Sequence, residues 1–158
     1  MFNEEFEFIS LSSQKSNFNI LDKKTFPKIE DIDGLVYFPG SINLKPFNTL
    51  KTDDFSNDYA INVMGLINII QHYHSNFNKN SSLVFISSIA AKIGLKFHAS
   101  IAMCKAAIES LTRTLASEFA PKIRVNCVSP SLIETNLSNR ILRNEQTRNK
   151  IINDNPLK

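Results

Sequence analysis

The stretch LVFISS at residues 83–88 consists of four consecutive apolar residues followed by two small hydroxyl residues. An uninterrupted apolar run of this length is typical of a strand buried on both faces of a parallel sheet, because a half-exposed strand alternates apolar and polar residues. A similar run lies at 35–38, and a further candidate strand, in which polar residues interrupt the apolar ones, lies at 123–128; each is followed by a turn-forming pair that contains proline. The sequence therefore predicts three buried strands.

Two amphipathic segments separate these runs. Asp53 or Asp54 can cap a helix over 54–77, in which apolar residues recur at intervals of three and four. Residues 99–119 form a second, alanine-rich helix with one apolar stripe. The order strand, helix, strand, helix, strand implies right-handed crossovers. We predict the α/β class, with a partial Rossmann-like, doubly wound parallel sheet and helices on both faces.

The segment before the first of these strands has a different pattern. Residues 5–11 alternate apolar and polar side chains, which predicts a half-buried strand, and 17–21 form a second short candidate strand. Without a neighbour, the strand at 35–38 would present an open apolar edge. We expect residues 6–11 or another chain to cover that edge.

Composition limits the classes of function. The 158 residues are enough for one domain, and 42% hydrophobic with 21% charged residues is ordinary for a globular protein. The net charge of +3 is spread evenly, so we expect neither a nucleic-acid nor a membrane partner. Two cysteines exclude a disulfide framework, and His72 and His74 point to different sides of a helix, so no metal site is expected. The acidic N-terminus and the lack of long apolar runs predict a cytoplasmic protein.

Polar residues cluster around the predicted strand ends, where open parallel sheets bind their ligands. Ser88 ends one strand, Lys105 follows seventeen residues later in the second helix, and Asn62 lies within the first helix. Each also has a simpler explanation: a serine that caps a turn, a solvated lysine, and an asparagine bonded to its own helix backbone.

Taken together, these segments resemble the short-chain dehydrogenase/reductase family over about 32–137. The matching segments are DGLV with the following Gly40, INVMG at 61–65, FISS at 85–88, CKAA at 104–107, and RVN at 124–126 with the loop through Thr135. The resemblance implies a single, incomplete domain at 1–158, truncated at both ends. It also implies an oxidoreductase that transfers hydride between a nicotinamide cofactor, NAD or NADP, and a small carbonyl or alcohol substrate.

The resemblance assigns roles to individual residues. Ser88 would polarise the substrate carbonyl, Lys105 would hold the nicotinamide ribose, and Asn62 would anchor a proton-relay water. The cofactor-binding residues implied by the same comparison are Gly40, Lys105, Pro130, Ser131, Ile133 and Thr135.

The sequence departs from the family pattern in two places. The catalytic tyrosine should stand four residues before Lys105 and thirteen after Ser88, but position 101 is isoleucine. His98, three residues upstream, is an alternative proton carrier. No glycine-rich TGxxxGxG loop occurs, and the four glycines lie at 34, 40, 65 and 94, so the first strand–helix unit with its pyrophosphate site is missing.

Two further hypotheses follow from these departures. The chain could be a non-catalytic member of the family, or a decayed fragment, that acts through homo-oligomerisation of the helices at 54–77 and 99–119. It could also perform chemistry that needs no tyrosine, such as isomerisation or double-bond reduction. The sequence leaves the substrate open, and it leaves open the choice between NAD and NADP.

Overall fold

The computed structural model describes residues 6–14 and 17–133, together with the single helical positions 145, 149 and 153. Within residues 17–133 the structure has three strands and three α-helices. They are β1 (Ile32–Tyr37), α1 (Thr52–Tyr59), α2 (Gly65–Tyr73), β2 (Phe77–Ile86), α3 (Ala99–Phe119) and β3 (Arg124–Val128). A π-helical turn, Ala60–Met64, joins α1 to α2 without a break in the helical backbone.

The three strands form one parallel sheet in the order β1-β2-β3. Val36 lies beside Val84, which lies beside Asn126, so the strands are in register at their carboxyl ends. The predicted strand–helix–strand–helix–strand order is confirmed, and the predicted helix at 54–77 corresponds to α1, the π turn and α2. All three strands therefore deliver their following loops to the same edge of the sheet.

The helices cover one face of this sheet. Leu83 and Phe85 of β2 are fully buried and belong to a core that also contains Leu66 of α2 and Ile108 of α3. Successive strands lie next to each other in space, so right-handed crossovers place both helical connections on the same face. The expected second layer of helices, on the opposite face, has no counterpart within residues 17–133.

The predicted strands at 5–11 and 17–21 are wrong for the residues that the structure describes. Residues 6–11 have no regular secondary structure, residues 17–21 contain no strand and end in a turn at 20–21, and Glu5 lies outside the described residues. The apolar residues near these positions instead pack on helix α2. Phe18 and Phe26 enter the core, and Asn68 Nδ2 donates to the carbonyl oxygen of Ile20 at 3.1 Å.

Strand β1 lies at one edge of the sheet. Among the described residues, β1 pairs only with β2, so the expected cover by residues 6–11 is not present. Val36 remains 50% exposed and the adjoining Phe38 is also exposed.

In the part of the chain that the structure describes, no helix is long and apolar enough to cross a membrane.

Candidate functional site

Asn62 lies in the middle of the π-helical turn and is completely buried. Its Nδ2 donates to the carbonyl oxygen of Asp58 at 2.9 Å and lies 3.2 and 3.3 Å from the carbonyl oxygen and Oγ of Ser41. Its Oδ1 is buried and accepts no hydrogen bond. π turns recur at functional sites, because they turn a side chain out of the ordinary helical register. Here the turn leaves a buried acceptor available.

Gly40 and Lys105 adjoin this acceptor. A Cβ atom on Gly40 would lie 3.1 Å from Asn62 Oδ1 and 3.9 Å from Lys105 Nζ. Lys105 extends from α3 to the end of β2, where its Nζ donates to the carbonyl oxygen of Ile86 at 2.9 Å. Burial lowers the pKa of Lys105 below that of a solvated lysine. The structure thus brings Gly40, Asn62 and Lys105 together at the carboxyl edge of the sheet.

Ser88 caps the short 3₁₀ turn Ile89–Ala91 that follows β2. Its Oγ accepts from the main-chain N–H of Ala90 at 3.2 Å, so the turn-capping explanation of this serine holds. An accepting hydroxyl keeps its own hydrogen for donation, so the cap does not prevent Ser88 from donating to a ligand.

Glu109 of α3 contacts the ends of β2 and β3, and the sequence analysis did not identify it. Its Oε1 accepts from Ser129 Oγ at 2.6 Å and lies 3.1 Å from Ser87 Oγ, which is equally close to the carbonyl oxygen of Lys105. The hydrogen bond from Ser129, followed by that from Ser87, lowers the pKa of Glu109. The sequence held one signal for this residue: Glu109 stands four residues, about one helical turn, after Lys105 and so lies on the same face of the helix.

Asp58 is a second residue that the sequence did not indicate. Its carboxylate is fully buried. It accepts from Ser41 Oγ at 2.7 Å, Asn43 Nδ2 at 3.1 Å and Ser100 Oγ at 2.7 Å. These bonds join α1 to the loop after β1 and to the start of α3. A buried carboxylate needs such donors, since an unpaired one would be strongly destabilising.

Position 101 is part of an apolar cluster. Ile101 is 5% exposed and packs with Val63 and Cys104. Burial, together with the charge of Asp58, raises the pKa of Cys104 to about 11, so this thiol stays protonated near neutral pH. The side chain at 101 therefore contributes packing and no exchangeable proton.

The loop after β3 closes against the end of β2. The main-chain N–H of Ser87 donates to Val128 O at 2.8 Å, and that of Ile89 donates to Pro130 O at 3.0 Å. Ser131 and Ile133 follow on the surface, and Thr135 lies outside the described residues. Pro130 is thus adjacent to the turn that carries Ser88.

A cleft of about 500 Å³ opens beside the start of α3. Its lining includes Ala90 and Ala91, from the turn that Ser88 caps, and Ala102, directly after Ile101. Its outer wall contains exposed apolar side chains, Phe47 and Phe97 among them. This volume lies within the range of small-molecule pockets in proteins, about 300–1,000 Å³.

Comparisons with known proteins agree with this architecture. The family model described as enoyl-(acyl carrier protein) reductase matches residues 13–158. Tropinone reductase-like 3 of Erythroxylum coca is 36% identical over 146 residues, which are 89% of this chain and 55% of that protein. The 3-oxoacyl-[acyl-carrier-protein] reductase FabG of Chlamydia pneumoniae is 31% identical over 73% of this chain and 48% of its own length.

Solved structures show the same relationship. A short-chain dehydrogenase/reductase from Brucella melitensis superposes with a TM-score of 0.69 at 36% identity, over 71% of this chain and 46% of its own. A short chain dehydrogenase family protein from Francisella tularensis, at 22% identity, shares the fold with a TM-score of 0.74 over 83% of this chain and 57% of its own. The chain spans about half the length of the curated relatives it matches. It belongs to the short-chain dehydrogenase/reductase family, whose oxidoreductases typically use NAD(P).

Proposed function

We propose that this chain contributes the carbonyl-binding and nicotinamide-ribose side of NAD(P)-dependent hydride transfer between a carbonyl and an alcohol. The main supporting observation is the unpaired Oδ1 of Asn62, which lies against Gly40 beside Lys105 Nζ. Leaving a buried acceptor unpaired costs about 1–3 kcal/mol. Such an atom beside a lysine favours a bound water or ligand hydroxyl that donates to it.

The residues present fit the nicotinamide-ribose end of the cofactor. Gly40 leaves open the space that a side chain would fill, and Lys105 Nζ spends one of its three N–H donors on Ile86 O, leaving two for ribose hydroxyls. Pro130, Ser131, Ile133 and Thr135 would cover the nicotinamide. The pyrophosphate end has no glycine-rich loop in this sequence. When bound, the cofactor would supply or accept the hydride.

Ser88 and Asn62 have complementary roles in this proposal. The hydroxyl of Ser88, whose oxygen already accepts from Ala90 N–H, donates to the substrate carbonyl and stabilises the negative charge that develops there. Asn62 Oδ1 holds a water next to Lys105, through which a proton reaches the site. Neither role uses Ile101.

Isotope transfer tests this function directly. We expect the chain, given NADPH or NADH deuterated at C4 and a panel of aldehydes and ketones, to produce alcohols that contain deuterium, detected by mass spectrometry. Ser88→Ala removes the carbonyl donor and should slow the transfer about 100-fold. Lys105→Met should also slow it, whereas Lys122→Met, an exposed lysine beyond α3, should not. Alcohols without deuterium, or equal transfer in all variants, would exclude the proposal.

A second candidate function is self-association through the helices at 54–77 and 99–119. Three large apolar side chains on these helices, Tyr59, Met64 and Met103, are exposed. Burying such side chains in an interface is favourable by about 25 cal/mol per Å². This observation supports a homodimer, with or without catalysis.

Sedimentation velocity tests the homodimer. We expect the wild-type chain to sediment as a dimer and Met103→Glu to sediment as a monomer, because a charge in an apolar interface is strongly unfavourable. Asn48→Glu adds the same charge at an exposed site outside both helices and should remain dimeric. A wild-type chain that sediments as a monomer contradicts this candidate.

A further inference from the structure

His98 stands at the start of α3 and lines the 500 Å³ cleft. Its Nδ1 lies 2.7 Å from the carbonyl oxygen of Lys96. A carbonyl oxygen can only accept, so Nδ1 must bear the hydrogen of this bond. Nε2 is therefore the ring atom that gains and loses a proton. A second hydrogen bond that fixes the tautomer in this way is how proteins prepare an imidazole for proton transfer.

The position of His98 relates it to the proposed carbonyl site. The same cleft is lined by Ala90 and Ala91, which belong to the 3₁₀ turn that Ser88 caps. It is also lined by Ala102, which follows Ile101. A ligand in this cleft would therefore lie between the turn of Ser88 and the first turn of α3, with His98 at its border.

The other charged groups around the cleft are less suited to proton exchange near neutral pH. Lys45 forms an ion pair with Asp54, with 2.8 Å between Nζ and Oδ1, and Lys92 is a second cation on the lining. Lysine remains protonated at neutral pH, whereas histidine exchanges its proton there. His98 is thus the group among the described lining residues that can act as both acid and base.

The walls of the cleft indicate the class of ligand. Phe47, Ile93, Leu95 and Phe97 are all exposed, with Phe97 53% exposed, and they surround a volume suited to a small molecule. Exposed apolar side chains gathered around one cleft favour an apolar ligand, because binding removes their surface from water.

We infer that this cleft binds an apolar ketone or its alcohol and that His98 Nε2 is the proton donor and acceptor for the ligand oxygen. During reduction, the N–H bond at Nε2 breaks and an O–H bond forms, while the carbonyl carbon gains the hydride that the proposed function assigns to the reduced nicotinamide. The imidazole left neutral regains a proton from solvent. Oxidation of the alcohol follows the same steps in reverse. This inference rests on the proposed function.

Binding can be tested without any cofactor. In the chain with labelled histidines, titration with acetophenone should move the ring resonances of His98 in a saturable way and leave those of His72 and His74 unchanged. His72 meets the ring of Phe26 edge-on, His74 stacks on Phe119, and neither lines the cleft. Unchanged resonances of His98, or equal shifts in all three histidines, would overturn the inference.

A wall variant tests the apolar character of the ligand. Phe97→Asn should weaken acetophenone binding about tenfold, by the loss of apolar contact area. Asparagine is chosen because Phe97 has a φ of 68°, which asparagine tolerates. Full affinity in this variant would exclude the apolar wall from the site.

Deuteride transfer separates the role of His98 from the proposed function itself. His98→Gln should transfer about 100-fold more slowly, as expected for loss of a general acid, while His74→Gln should match the wild type. Adding Ile101→Tyr to His98→Gln should restore transfer because it supplies another acidic hydroxyl, and Ile101→Phe should not. Undiminished transfer in His98→Gln overturns the role of His98 alone. If the wild type binds acetophenone at His98 but neither it nor any variant transfers deuteride, the hydride-transfer function is overturned, and the proton-transfer role with it.

Discussion

Asp58 on α1 and Ser100 on α3 form a fully buried hydrogen bond, with 2.7 Å between Oδ2 and Oγ. The other carboxylate oxygen holds Ser41, whose Oγ lies 3.3 Å from Asn62 Nδ2. One carboxylate therefore fixes the start of the helix that bears Lys105 and the side chain of Asn62. The relative position of these two candidate site residues depends on Asp58.

Replacing this carboxylate should reduce stability. Asp58→Asn retains the size of the side chain but presents an amide group to hydroxyls that now donate to a charge. Hydrogen bonds to charged groups contribute about 1.5–3 kcal/mol each, so we expect a loss of roughly 2–4 kcal/mol in the free energy of unfolding. Urea titration followed by circular dichroism measures this loss.

The control for this change is Glu118→Gln, an exposed carboxylate on α3. Surface substitutions of this kind usually change the free energy of unfolding by less than about 0.5 kcal/mol. If Asp58→Asn were as stable as Glu118→Gln, the buried network would not hold the helices together.

Glu109 should make stability depend on pH. Its folded-state pKa is lowered, first by the hydrogen bond from Ser129, while the charges of Lys92 and Arg113 face it. A carboxyl with a lowered folded-state pKa contributes stability above its unfolded-state pKa, and the contribution disappears as pH falls through the folded-state value. We therefore expect the wild type to exceed Glu109→Gln in stability most clearly above pH 4.5, the ordinary value for this group.

Thermal unfolding from pH 2 to pH 7 measures this difference. Ser129→Ala removes the principal hydrogen-bond donor to Glu109 and should reduce the pH-dependent part of the stability. A gap between the wild type and Glu109→Gln that is constant across this range would show that Glu109 is not held in its charged form.

The strands and long helices could be predicted because their signals are local. Apolar runs and three-to-four-residue spacing follow from the environment of each element. The π turn at Ala60–Met64 was not predictable, since the apolar spacing of the helix continues through it. The alternation at 5–11 predicted a strand that is absent from 6–11, because alternation does not reveal whether a partner strand is within reach.

The candidate site was predictable only in part. Ser88, Lys105 and Asn62 were selected because of their spacing from one another and from the strand ends. The role of Asp58 was hidden, since its three donors lie 15, 17 and 42 residues away in the sequence. Only the fold brings them together.

The space at Gly40 gives a prediction with a matched control. Gly40→Ala places a Cβ 3.1 Å from the buried Oδ1 of Asn62, whereas a Cβ at Gly34 makes only an ordinary contact, 3.6 Å from the carbonyl oxygen of Ser82. Overpacking costs about 1–3 kcal/mol, so we expect Gly40→Ala to be less stable by about 1 kcal/mol and to transfer deuteride more slowly.

Gly34→Ala should leave both quantities close to those of the wild type, or stabilise the chain by less than about 1 kcal/mol. The two variants are compared by thermal unfolding and by isotope transfer. Equal behaviour of the two alanine variants would mean that the space beside Asn62 has no role in folding or binding.

Gly65 should be the glycine least tolerant of substitution. A Cβ there would lie 2.6 Å from both Ile20 Cδ1 and Tyr37 Oη. The isoleucine methyl can move, but Tyr37 Oη donates to the carbonyl oxygen of Ile61 at 2.7 Å and cannot shift without losing that bond. We expect Gly65→Ala to lower the free energy of unfolding by about 2–3 kcal/mol, measured by urea titration.

A double-mutant cycle identifies the cause of that loss. Tyr37→Phe alone should cost about 1 kcal/mol, since it removes one hydrogen bond. The double variant Tyr37→Phe with Gly65→Ala should lose less than the sum of the two single changes, because phenylalanine has no Oη to meet the new methyl group. Residues in contact commonly show interaction energies of about 0.5–3 kcal/mol in such a cycle. Strictly additive losses would mean that the new methyl group clashes with Ile20 alone. The requirement for glycine at position 65 would then not come from the close packing of β1 on α2 at Tyr37.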